Sequence, residues 1–329
     1  MASSARFGSV TRAENRRLQR LVRLAALILV IGTVAFVAFY FTDQHTDPGP
    51  TLAQRSVTET EALVRKNPND LALRLKLAAS YSAAQRTDDA LAQYDTILTA
   101  APDNVTALLG KADIIAPAGD PGGAVVLYQR VVDLRKGGEM ASADTDLERA
   151  YFGLGSVANA RGDYGRAIAA LESAVRIDGT DADAWYVLGQ AQLAVGSAQQ
   201  AIAAERNAVA FVPLGWSEPY AVMSRAYASQ GKTAQTAWAN AMIDLIAKQD
   251  DKAKAELTGL VDGPAAADAM VGLAFLAESR GDDAAALAWY RKTLTVDPQN
   301  ANAQSGVSRL AGDGAAPSSA PSVAAPAGS

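Results

Sequence analysis

The 329-residue chain contains no cysteine and a single histidine, His45. Without thiols there is no disulfide framework, no thiolate nucleophile, no Cys-x-x-Cys redox pair and no haem-attachment motif. Zinc sites of the usual Cys/His kind go with them, as does a Ser-His-Asp triad built on a buried histidine. No catalytic residue, metal ligand or cofactor site is assigned, and the chain is not expected to be an enzyme. Aromatic residues are scarce at 6%. The apolar fraction of 49% is ample for burial, and a charged fraction of 20% argues against wholesale disorder. Arginine outnumbers lysine 21 to 9 beside abundant alanine, a composition associated with bacterial chains of high-GC coding.

Charge is divided unevenly. Residues 1–23 hold six arginines and one glutamate, a net of +5, whereas the remainder holds 24 basic and 34 acidic residues, a net of −10. Between the two parts, Leu24 to Phe41 runs 18 residues without a charge. As a helix it measures roughly 27 Å, close to the thickness of bilayer hydrocarbon. The sequence predicts a basic cytoplasmic arm (1–23), a single transmembrane helix (24–41) and a linker (42–55), with the rest of the chain outside the cytoplasm by the positive-inside rule. A cleaved signal peptide is the competing reading, but the apolar run is long for one and closes on Phe39, Tyr40 and Phe41 rather than a small-x-small site. The expected location is the bacterial cytoplasmic membrane, single-pass, with the N-terminus cytoplasmic. The acidic remainder gives no reason to expect nucleic acid.

From residue 71 apolar positions follow a helical period, broken regularly by Gly, Asp or Pro. Ala184-Trp185-x-x-Leu188-Gly189, followed by Gly196, Ala201, Ala208 and Pro213, recurs in weaker form at a spacing of 34 residues. This motif and spacing resemble the tetratricopeptide repeat, a pair of antiparallel helices in which small residues let the helices cross closely and large ones fill the gaps. The resemblance implies an all-α solenoid over 56–311 with about six helix-turn-helix repeats, near 71–104, 105–136, 148–181, 182–215, 217–250 and 267–300. In that register Ala78, Ala112, Gly155, Gly189 and Ala274 take the close-crossing place. Gly119, Gly162, Gly196, Gly231 and Gly281 take the turn, with Gln85 in the first unit instead of glycine. Pro117 should stop its helix early. The fifth unit drifts by one residue around Ala237.

Two insertions interrupt the register. Gly137–Leu147 reads as a polar loop, and Asp244–Ala266 as a lengthened second helix followed by a turn. Residues 56–70 and 301–311 read as partial caps, which a stack needs to cover its end faces. Residues 312–329, nearly all Ala, Pro, Ser and Gly, read as a disordered tail.

Several patterns imitate chemistry. Gly231-Lys232-Thr233 resembles the end of a phosphate loop, yet the earlier glycine it needs is Ala226 and no strand precedes it. Gly153-x-Gly155 has the wrong spacing for a dinucleotide fingerprint and lies where a helix needs small residues. Asp178, Asp181 and Asp183, Asp250-Asp251 and Asp282-Asp283 lack calcium-loop spacing and suit helix starts.

The resemblance implies that first helices line a concave face able to hold a protein or peptide. There it places Leu75, Leu109, Phe152, Asn159, Tyr186, Gln190, Arg225 and Phe275, with Asp113 and Ser156 beside them. Rings supply burial, and Asn, Gln and Arg can pair with main-chain groups. For each aromatic, packing between repeats is the other reading. A Lys/Asn clamp for a terminal carboxylate is absent, since Leu75 and Ala79 stand there. The expected function is a membrane-anchored scaffold for protein–protein interactions outside the cytoplasm, in envelope protein assembly or maturation. A cytochrome c maturation-type subunit is a narrower version, and a polysaccharide-binding or glycan-acting protein is the alternative of another class.

Overall fold

The structure is a computed structural model that describes residues 26–37, 39–40, 51–210 and 212–311. The chain divides into two compact units, Met1–Ala62 and Leu63–Ser329, and among the described residues all regular structure is helical.

In the first unit residues 26–37 form a helix, α1, whose apolar side chains from Leu27 to Ile31, with Val34 and Phe36, are exposed. No helix among the described residues is long and apolar enough to cross a membrane. Residues 24, 25, 38 and 41 of the expected span lie outside the described residues, as do the basic arm, residues 42–50 and the tail 312–329. Helix α2 (Leu52–Lys66) begins inside the segment read as linker. The backbone N–H of Gln54 donates to Thr51 Oγ1 at 3.2 Å, and the N–H of Thr51 to Gln54 Oε1 at 2.8 Å. That reciprocal capping box starts the helix and corrects the linker boundary.

The second unit is a run of helix pairs. They are α3 (Leu71–Ala83) with α4 (Thr87–Ala100), α5 (Val105–Ile115) with α6 (Pro121–Arg135), and α7 (Thr145–Ala160) with α8 (Tyr164–Ile177). Next come α9 (Ala182–Ala194) with α10 (Ala198–Ala208), and α11 (Glu218–Ser229) with α12 (Thr233–Ile246). A lone α13 (Asp250–Thr258) precedes α14 (Ala266–Ser279) with α15 (Asp283–Val296), and α16 (Ala301–Leu310) follows. Each of these helices packs on the next, and α5, α7, α9 and α11 also pack on one another in succession.

Local chemistry sets these boundaries. Asp70, Asn104, Asp144, Asp181 and Asn300 each accept backbone N–H groups of the first turn they cap. Asp282 does the same for α15, which explains two of the acidic clusters as helix starts. The five turn glycines all have positive φ, and Gln85 adopts the same left-handed conformation at φ 58° in the first pair. Helix α5 ends at Ile115, ahead of Pro117.

Three expectations need correction. The loop expected over 137–147 is shorter, because Asp144 caps α7 and Leu147 is buried in the core. The lengthened second helix expected near 244–266 is instead broken at Lys248, φ 62°, and α13 is a separate helix that buries Ala253 and Leu257. The drift in the fifth pair is two residues. Buried Trp238, Ala239, Ala241, Met242 and Leu245 follow Ala201, Ile202, Ala204, Glu205 and Ala208 by 37 positions. The first helices of the same two pairs keep a spacing of 35, from Trp185 to Tyr220 and from Leu188 to Met223. Burial in α12 follows its large apolar residues, Trp238, Met242 and Leu245, rather than the small residues of the neighbouring pair.

Close helix crossings depend on glycine. A Cβ on Gly155 would fall 2.9 Å from Leu171 Cδ2, inside the same pair. Between pairs, tyrosine rings press against glycine: a Cβ would fall 2.8 Å from Tyr94 Cε1 on Gly110, 2.6 Å from Tyr128 Cε1 on Gly153 and 2.6 Å from Tyr290 Cζ on Gly306. Burial pushes the phenols of Tyr94, Tyr128 and Tyr290 above their ordinary range.

Candidate functional site

The first helices α7, α9 and α11 carry the polar residues singled out in the sequence. Asn159 at the end of α7, Gln190 on α9 and Arg225 on α11 line one hollow of about 470 Å³, with Tyr164, Leu193 and Ala194 completing its wall. Asn159 Nδ2 donates to Gln190 Oε1 at 3.3 Å. Arg225 is exposed. Tyr186, one turn before Gln190, is half-buried and meets Trp216 edge-on, with centroids 4.9 Å apart and planes at 63°.

The other expected residues lie elsewhere. Leu75 is half-buried on α3, away from these three. Phe152 lines a separate hollow of about 670 Å³ with Asp113, Ser156, Glu148 and Arg149. Two assignments to an open face are corrected. Leu109 is 0% exposed in the core cluster with Ala112, Tyr128 and Val131, and Phe275 is 8% exposed and packs edge-on against Tyr290. Both are used for packing between repeats, so their side chains do not present an open contact surface.

Electrostatics separate the two hollows. Beside Phe152 the charge is acidic: Tyr128 donates its hydroxyl to Asp113 at 2.6 Å, and Arg149 pairs with Asp113. Burial, then a hydrogen bond to Asp181 and the charges of Asp181 and Asp178, push Glu148 up to about 8. Among the described residues no group of three acidic or histidine side chains is placed to hold a metal ion.

Near Tyr186 and Arg225 the unusual group is Glu205. It is 0% exposed, neither carboxyl oxygen has a hydrogen-bond partner, and it lies directly beneath Gly189 of α9. Burial pushes its carboxyl up to about 10, with Arg225 pulling weakly the other way, so at neutral pH it is a neutral acid. The Tyr186 phenol is raised by its own burial and then by the Glu205 and Glu218 charges. Glu205 was not singled out from the sequence. The available signal was a charged residue 16 places after Gly189, where other pairs set Tyr94, Leu171 and Tyr290 after Ala78, Gly155 and Ala274. Trp216 follows the fourth repeat and has no periodic signal at all.

An amide pair, an exposed guanidinium and an edge-to-face aromatic pair can hydrogen-bond a main chain and bury an apolar side chain. Residues 155–196 match the TPR repeat family, and residues 75–139 and 248–301 match the family described as tetratricopeptide repeat. No curated protein matches the sequence. Among solved structures, a MamA protein is 23% identical over 55% of this chain and 94% of its own, with a TM-score of 0.47. The C-terminal part of a TPR repeat-containing protein from Cytophaga hutchinsonii is 21% identical over 78% of this chain and 94% of its own, at 0.48. A tetratricopeptide repeat protein from Parabacteroides merdae is 13% identical over 85% and 98%, at 0.44. Repeats of this kind imply a scaffold for protein–protein interaction. The chain is thus similar to tetratricopeptide repeat proteins over residues 75–139, 155–196 and 248–301.

Proposed function

We propose that the chain is a membrane-anchored scaffold whose repeats hold a protein or peptide outside the cytoplasm, in the assembly or maturation of envelope proteins. The observation that carries the binding role is the meeting of Asn159, Gln190 and Arg225 in one hollow beside the Tyr186–Trp216 pair. An extended segment lying there exchanges main-chain hydrogen bonds with the two amides and seats a side chain against the rings. The membrane role is supported by the charge-free run Leu24–Phe41, the six arginines before it and the exposed apolar side chains of α1.

Two measurements test the two halves separately. A photo-crosslinking residue at Gln190 should give a discrete adduct in the native envelope, and one at exposed Val126 should not. Adding Asn159→Ala and Tyr186→Ala should remove the Gln190 adduct while the melting temperature holds. Equal crosslinking in the double variant places the binding surface elsewhere. For the topology, Pro48→Cys introduces the only thiol in the chain. It should react with an impermeant maleimide on intact cells, and protection until lysis would overturn the extracytoplasmic assignment.

A further inference from the structure

Arg225, exposed on α11, lines the hollow of about 470 Å³ and makes no hydrogen bond or ion pair among the described residues. Other arginines near the groove are engaged. Arg149 in the acidic hollow pairs with Asp113, and Arg206 on α10 bonds Asp268 at 2.7 Å.

No nearby acid neutralises Arg225. Its charge reaches Glu205, but burial without a hydrogen-bond partner keeps that carboxyl protonated at neutral pH. Glu218 stands seven residues earlier on α11, about 10 Å along the axis, and accepts from Ser217 Oγ at 3.2 Å. The other lining residues, Asn159, Tyr164, Gln190, Leu193 and Ala194, carry no charge. The hollow therefore presents one uncompensated positive charge on a chain whose net charge is −5.

That charge calls for an anion, and a carboxylate matches the planar fork of guanidinium donors. Amides beside it can pair with main-chain groups, and the Tyr186–Trp216 corner can take an apolar side chain, as in the groove reading on which this inference rests. A lone cation, with Leu75 and Ala79 where a Lys/Asn clamp would stand, suits a carboxylate on a side chain rather than on a chain terminus.

We propose that the groove selects an extended peptide segment bearing an aspartate or glutamate next to an apolar residue, with the carboxylate on Arg225 and the apolar side chain against Tyr186 and Trp216.

The photo-crosslinker at Gln190 separates this selection from the groove reading itself. Arg225→Lys keeps the charge and should keep the adduct within about twofold, whereas Arg225→Glu should reduce it by about tenfold or more. The melting temperature should hold in both, because the side chain is exposed. An undiminished adduct in Arg225→Glu overturns the charge selection and leaves the groove reading standing. No adduct in the parent chain overturns both.

Calorimetric titration of the full chain with defined peptides reads the chemistry. The probe N-acetyl-Ala-Leu-Glu-Leu-Ala amide is symmetrical, so chain direction does not matter, and it should bind with a Kd of about 1 mM or tighter. Glutamine in place of its glutamate should weaken binding by about tenfold. In Arg225→Glu the preference should pass to the peptide with lysine at that place. The glutamine peptide with a free C-terminal carboxylate should gain nothing over its amide. Equal binding of the glutamate and glutamine peptides, a glutamate preference that survives in Arg225→Glu, recovery of affinity by the free C-terminus, or no saturation by the glutamate peptide overturns the assignment.

Discussion

Between pH 5 and pH 8 the parent chain should lose stability that a Glu205→Gln variant retains, by at most about 1.4 kcal/mol for each pH unit. The Glu205 carboxyl is raised from an ordinary 4.5 to about 10 by burial. Below pH 4.5 it is protonated in both folded and unfolded chains and makes no difference between them. Above that, the unfolded chain releases the proton while the folded chain keeps it until about pH 10, so unfolding gains with every unit across that window. Glutamine has the same shape and no proton to release. Glu148, raised to about 8, slopes in the same direction, so the difference between variant and parent is what isolates Glu205. Urea midpoints at pH 5, 6, 7 and 8 read the effect. Parallel pH profiles would mean that Glu205 is solvated or paired in the folded chain.

Gly189→Leu should destabilise by about 3 kcal/mol, the upper end of the usual range for overpacking. A Cβ at Gly189 already falls 2.8 Å from Glu205 Cδ, and the carboxyl it displaces is wholly buried. Because leucine and the carboxyl claim one space, Gly189→Leu with Glu205→Ala should recover much of the loss, a coupling of about 1–3 kcal/mol in a double-mutant cycle. Gly165→Leu is the control: it lies on the exposed side of α8 with no atom within 4 Å of its Cβ position. There leucine should be neutral or slightly stabilising, since it is the better helix former. Equal melting temperatures for Gly189→Leu and parent would dismiss the crossing of α9 over α10 at this point.

The helix pairs were readable because their boundaries are local. Asp70, Asn104, Asp181 and Asn300 carry their own caps, and Gly162, Gly196 and Gly281 their own reversals, so no distant contact is needed to place them. Where the local signal was unusual, the reading slipped. Lys248 makes the turn that a glycine would have announced, which hid α13, and the Thr51-x-x-Gln54 box went unused.

Within the candidate groove the limit is angular. Successive residues on a helix differ by about 100°, so a one-residue uncertainty in register separates an open face from a packed one. Asn159, Gln190 and Arg225 come to one hollow, while Leu109 and Phe275, chosen by the same periodic reasoning, are covered by neighbouring helices.

The residues alone therefore determined that this chain forms repeated helix pairs, where most of them turn, and which positions must stay small. Those properties are written in caps, glycines and a period of about one repeat. Which side chains remain open and that Glu205 is shut beneath Gly189 were decided only by tertiary packing. They depend on how far each helix is rotated against partners tens of residues away, and a two-residue displacement of α12 is enough to exchange a methyl group for an indole.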